Sequence, residues 1–168
     1  MKKNMLTIEQ NKLLKKNNNR YAVKNISIAK LPMAFLTGLK IEYINESKSK
    51  TSVKFGYLTK NPYRSTYFAL LSMAAELSTG LFANFYAMGI KPIIALIITK
   101  LNASFIKKAI GTTTFVCEDG QQKFQEAIEI LHTQSCPAEV KSKSTGMSES
   151  GEIVAESEIY WSFKQRKH

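Results

Sequence analysis

The period of hydrophobic positions changes several times along the chain, and each change marks an element. Residues 7–16 set Ile8, Leu13 and Leu14 in a polar, helix-forming background, with Thr7 placed to cap the start and Asn17-Asn18-Asn19 to end it. Pro32 to Leu39 predicts a second short helix or turn, since proline suits a first helical turn. From Leu39 the period drops to two. Leu39, Ile41, Tyr43 and Asn45 share one face, while Lys40, Glu42 and Ile44 share the other. After the polar turn Glu46–Lys50, Val53, Phe55 and Tyr57 alternate again, which predicts a hairpin. Asn61-Pro62 breaks the strand, and Ser65 or Thr66 can cap a long helix reaching about Met88. That helix is apolar nearly all round and is therefore expected at the centre of the domain. Its one small, polar stripe, Ser65, Ala69, Ser72, Glu76, Thr79 and Ala83, suits close approach by a ligand or another backbone.

Beyond Gly89, residues 93–99 and 102–106 read as strand, Lys107-Lys108 as a turn, and 111–116 as a β-branched strand. Residues 120–132 predict a surface helix whose apolar edge is Phe124, Ile128 and Leu131. Residues 138–144 and 152–163 predict a closing strand pair joined by the turn Gly146–Gly151, with Ile153, Ala155, Ser157, Ile159 and Trp161 alternating. This order is that of an α+β domain in which an antiparallel sheet wraps one helix.

At 168 residues, 44% hydrophobic and 22% charged, the chain has room for one domain with a real core. Charge divides it. Residues 1–30 hold eight lysines and arginines against Glu9 alone, within a net charge of +11. They read as a basic helical extension ahead of a domain spanning 31–168. Such a field attracts polyanions, but no aromatics interleave the lysines and no nucleic-acid module motif is present, so nucleic acid is not an expected partner. Cys117 and Cys136 have neither metal spacing nor a disulfide framework, which favours a reducing, cytoplasmic setting. Met1-Lys2-Lys3 leads into polar residues, unlike a secretory leader. Lys91-Pro92 splits the apolar stretch 80–98 into pieces too short to span a membrane.

Candidate chemistry centres on Glu76. Between Ser65 and Gly89 it is the only ionisable side chain apart from tyrosine. An unpaired carboxylate among Leu, Met, Phe and Ala is costly to bury, so it is either held by hydrogen bonds as a structural acid or used. The only histidines are His132 and His168, and no G-x-S-x-G occurs, which disfavours histidine-based hydrolases and dehydratases. No ligand cluster points to a metal and no glycine loop to a nucleotide, so no resident cofactor is expected.

The order of elements over roughly residues 35–165 resembles the hotdog fold. Asn61 through Gly80 and the closing GEIVAESEIYWSF are its most specific parts, and they are similar to acyl-CoA thioesterases of the phenylacetate-pathway type. In that type an Asn precedes the helix and an acid follows fifteen residues later, as Asn61 and Glu76 do here. The resemblance implies an acyl thioester substrate, with coenzyme A or an acyl carrier as part of it, and a homodimer or tetramer with the substrate at the dimer interface. It implies Glu76 as general base or nucleophile, Asn61 orienting the water or the acid, and the backbone amides of Tyr67 and Phe68 holding the oxyanion. Ser72 and Thr79, one turn from Glu76, would hold its carboxylate, and Lys107 and Lys108 would meet coenzyme A phosphates. Where the family has His-Gly-Gly this chain has Tyr67, Phe68 and Ala69. That departure keeps a second reading open, a non-catalytic acyl or acyl-CoA binding protein. A third is a structural dimer whose basic N-terminal helix docks on an acidic partner.

Overall fold

A helix that is apolar on nearly every side has to be covered, and here a six-stranded antiparallel sheet covers it. The computed structural model describes residues 7–18, 31–134 and 136–166. In chain order the elements are α1 (Ile8–Asn17), α2 (Pro32–Leu36), β1 (Lys40–Ile44), β2 (Ser49–Lys54), α3 (Phe68–Ala87), β3 (Ile94–Phe105), β4 (Thr112–Cys117), α4 (Gly120–Gln134), β5 (Ala138–Met147) and β6 (Ile153–Gln165). The strands lie in the order β1-β2-β4-β5-β6-β3, every neighbouring pair antiparallel. This is the α+β arrangement the sequence predicts.

Period-two patterning points Phe115 of β4, Val140 of β5, and Ile159, Trp161 and Phe163 of β6 at the helix. They meet Ala74, Phe82 and Phe85 of α3, all three fully buried. Phe124 of α4 joins this core, its ring 5.9 Å from Phe82 and 6.0 Å from Phe163. Helix and sheet lie close because the facing residues are small. Ser49 Oγ donates to the Ser78 carbonyl at 2.6 Å, Thr51 Oγ1 donates to the Ala74 carbonyl at 2.8 Å, and the Ser78 and Ser144 hydroxyls pair at 2.7 Å. α3 is long and apolar enough for a membrane span, and most of that apolar length is the buried centre of this domain.

The structure revises several expectations. The stripe with Glu76 at its middle divides: Ser65 precedes the helix, Ser72 and Glu76 are half-buried, and Thr79 and Ala83 are buried. Close approach to the sheet belongs instead to Ala74 and Ser78. β2 begins at Ser49, within the expected turn, because Ser49 and Thr51 point inward and spend their hydroxyls on α3 carbonyls. In β1 a bulge between Ile41 and Tyr43 breaks the alternation, leaving Tyr43 exposed and Ile44 buried. Residues 94–105 are one strand with a register shift between Ile98 and Lys100, where two were expected.

α2 ends in a Schellman motif. Leu39 N–H donates to the Ala34 carbonyl at 2.9 Å and Gly38 N–H to that of Phe35 at 3.2 Å, with Gly38 at φ 68°. α1 opens with the Thr7–Gln10 capping box. Leu13 and Leu14 pack onto the core, while Lys12, Lys15 and Lys16 face outward. At its end Asn18 mimics a strand residue: Nδ2 donates to the Ile44 carbonyl at 2.9 Å, and Ile44 N–H donates to Oδ1 at 3.1 Å. One point on the open edge of β1 is thereby paired. Lys2, Lys3, Arg20, Lys24, Lys30 and His168 lie outside the described residues.

Candidate active site

The loop before α3 is built on Asn61. Its Oδ1 accepts from Tyr63 N–H at 3.0 Å and Ser65 N–H at 3.1 Å, and its Nδ2 donates to Ser65 Oγ at 3.3 Å. An Asx side chain commonly folds a turn this way. Asn61 therefore holds its own loop, with one amide proton left over among the described residues. Thr66 donates both its N–H (2.8 Å) and its Oγ1 (3.1 Å) to the Ala109 carbonyl and does not cap the helix. The N-cap falls to Tyr67, whose side chain makes no capping bond.

Of the two amides expected to hold an oxyanion, only one is available. Tyr67 N–H donates to the Thr59 carbonyl at 2.8 Å. Phe68 N–H, at the first helical position, has no acceptor among the described residues and carries the positive end of the helix dipole. The Phe68 side chain is exposed and packs against Tyr67 (4.8 Å between ring centroids) and Phe105 (5.9 Å). Lys107 and Lys108 lie near this end of the helix. Lys107 forms an ion pair with Glu152, and Lys108 Nζ donates to the Tyr63 carbonyl at 3.4 Å.

Glu76 stands two turns further along α3. Its carboxylate makes no hydrogen bond or ion pair among the described residues. Ser72 does not reach it, and the Thr79 hydroxyl is committed elsewhere: Oγ1 donates to the Glu76 backbone carbonyl at 3.0 Å and accepts from Trp161 Nε1 at 2.9 Å. Glu76 lines a groove of about 200 Å³ with Leu31, Pro32, Met33, Ala34, Leu39, Met73 and Leu77. Among the described residues no second ionisable side chain lines it. Burial in this apolar setting raises the carboxyl pKa above its ordinary value. The groove was not legible in the sequence, because half its wall comes from α2 and the turn after it, more than thirty residues before the acid.

Glu76 and the Phe68 amide are eight residues apart on one helix, and a rise of 1.5 Å per residue separates them by about 12 Å. A single carbonyl cannot touch both within one chain. Helix α3 thus carries two separate features: an amide at its start without an acceptor among the described residues, and a half-buried acid beside an apolar groove. His132 lies on α4, and its side chain is outside what the structure describes.

No family model matches the sequence, and no curated protein matches it. Solved structures do. A probable thioesterase of otherwise unknown function from Pseudomonas aeruginosa superposes with a TM-score of 0.74 at 17% identity, over 88% of this chain and 97% of that one. A protein of unknown function from Chlorobaculum tepidum gives 0.75 at 11% identity, over 87% and 94%. A thioesterase from Haemophilus influenzae gives 0.64 at 10% identity, over 93% and 98%. The chain has the hotdog fold these thioesterase structures share.

Proposed function

We propose that the protein hydrolyses acyl thioesters, with Glu76 as the acid at the centre of the reaction. The observation that carries this reading is the Glu76 carboxylate itself: half-buried, without a hydrogen-bond partner among the described residues, at the wall of an apolar groove. Its oxygens are bonded to no described residue and open on the groove, where a ligand can reach them, and burial raises its pKa toward the range that suits a general base. The groove would take the acyl group and Glu76 would deprotonate water. The hydroxide adds to the thioester carbonyl, the C–S bond breaks, and the thiol leaves with a proton. Attack by Glu76 itself, through an anhydride that water then opens, uses the same geometry.

The oxyanion would be held by a Phe68 amide from a second copy of the chain, since the 12 Å separation on one helix rules out the same copy. The active form would therefore be a homodimer or a multiple of it, with two equivalent composite sites. Asn61, through its remaining amide proton, would orient the water. Lys108, and Lys107 where its pairing with Glu152 yields, would meet the phosphates of coenzyme A. No resident cofactor enters this scheme, and a cytoplasmic setting fits its substrate. Thiol release from acyl-CoA esters of graded chain length tests the reading: turnover is expected for apolar acyl groups that fill about 200 Å³.

One observation favours the acyl-binding alternative. The exposed Phe68 side chain stands beside its own amide, which has no acceptor among the described residues. Saturable binding of acyl-CoA without thiol release would establish that alternative.

A further inference from the structure

Gly80 sits one helical turn after Glu76, on the same side of α3. A Cβ placed on Gly80 would lie 3.1 Å from Glu76 Oε1, 3.1 Å from Trp161 Cζ2 and 3.2 Å from Trp161 Cη2. Two atoms within 3.1 Å of one point are at most about 6 Å apart, so the carboxylate oxygen and the indole edge share the space that the missing side chain leaves. The indole is fixed there. Trp161 comes from the helix-facing side of β6 and is 6% exposed. Its Nε1 donates at 2.9 Å to Thr79 Oγ1, which donates in turn at 3.0 Å to the Glu76 carbonyl. Strand β6 therefore reaches the Glu76 backbone through Thr79, and its indole edge lies within about 6 Å of the Glu76 carboxylate oxygen.

We propose that Gly80 and Trp161, with Thr79 as the link between them, are positioning residues for Glu76. Gly80 admits the carboxylate and the indole side by side, and the indole shields one side of the acid and sets its direction relative to the groove. Any larger residue at 80 displaces one of the two by a few tenths of an ångström. Among the described residues, the groups facing the acid from the other elements are Leu31, Pro32, Met33, Ala34 and Leu39 from the α2 region and Trp161 from β6, none of which titrates. Met73 and Leu77 of its own helix do not titrate either. Trp161 is the only tryptophan in the chain, so on this proposal its emission should follow the protonation of Glu76. This inference rests on Glu76 as the working acid, but emission can be followed with no thioester present.

The test is a pH titration of tryptophan emission on the full chain, with Glu76→Gln alongside. A step with its midpoint above the ordinary glutamate value of about 4.3, absent from Glu76→Gln, is expected. A flat titration in the wild type, or a step that survives Glu76→Gln, overturns the proposal. Gly80→Ala is expected to move that midpoint, move the acid limb of the kcat/KM profile with it, and lower kcat on the order of tenfold, less than the hundredfold of a 1 Å misplacement. An unchanged midpoint in folded Gly80→Ala counts against it. Thr79→Val removes the acceptor for the indole N–H and should shift the emission maximum and the step, while Thr79→Ser restores both; equal behaviour of the two variants is contrary evidence. If the emission step is present and no thioester is hydrolysed, the positioning holds and the proposed reaction fails. If hydrolysis depends on Glu76 but the step is missing, the reaction holds and the positioning fails.

Discussion

Proline at position 68 separates a composite two-copy site from a single-copy one. Phe68 is the first residue of α3, preceded by Tyr67 in extended backbone at φ −63° and ψ 132°. Proline is favoured at a first helical position and prefers an extended residue before it, so Phe68→Pro leaves the helix in place. What it removes is the Phe68 N–H, which has no acceptor among the described residues and is the donor proposed for the oxyanion. Phe68 is 53% exposed, so loss of its ring takes little from the core. One oxyanion donor is worth about 10²–10³ in kcat, and that loss is expected with circular dichroism and melting temperature near wild type. About 12 Å of helix separates this donor from Glu76, so Phe68→Pro and Glu76→Ala should complement. In a mixed dimer one site combines both defects, while the other combines an intact Glu76 with an intact Phe68. Two differently tagged chains are co-expressed, the heterodimer is isolated by both tags, and thiol release is measured. About half the wild-type rate per dimer is expected. A heterodimer as inactive as its parents would refute the two-copy site, as would a Phe68→Pro homodimer that turns over normally.

Glu76→Gln bears on stability as well as on activity. Burial raises the folded-state pKa of Glu76, so between the unfolded and folded values the native state binds more protons and stability falls as pH rises. Glu76→Gln should therefore melt above wild type at pH 7.5, by about 2–4 °C per kcal/mol relieved, with the gap closing as pH falls through the carboxylate range; a gap independent of pH contradicts the desolvation. Gly146→Ala would set a methyl 2.6 Å from Cε1 of the fully buried Phe115, and urea melts should show a loss of about 1–3 kcal/mol. Asn61→Ala removes the acceptor for two loop amides. Hydrogen exchange at Tyr63 and Ser65 should speed up, with a stability loss of about 1–2 kcal/mol, and an unchanged exchange rate would show that the loop does not depend on that side chain.

Much of the fold is legible in the chain because patterning alone carries it. The all-round apolar helix, the alternation of β6 and the apolar edge of α4 each follow from burial of one face. Legibility fails where a residue's partner is distant in sequence. Ser49 reads as part of the turn 46–50, yet it and Thr51 point inward because α3 offers carbonyls at hydrogen-bond distance. Thr66 has the chemistry of a helix cap but is drawn to the Ala109 carbonyl, so the helix starts later, at Phe68. The candidate site divides in the same way. Glu76 is conspicuous as a lone acid in an apolar run, and Asn61 as the residue before the helix. The groove wall from α2, the occupied amide of Tyr67 and the indole beside Gly80 depend on contacts that no local pattern records. Ser72 and Thr79 carry the spacing to support the carboxylate, but Thr79 serves Trp161 and the Glu76 backbone instead.

The measurement that bears most directly on the central claim is thiol release from a panel of acyl-CoA esters by wild type and Glu76→Ala side by side, each verified as folded by circular dichroism. Turnover of apolar acyl esters by the wild type, lost in folded Glu76→Ala, is the predicted result. Turnover that survives the substitution would contradict the assignment of Glu76, and acyl-CoA binding without release by the wild type would contradict hydrolysis.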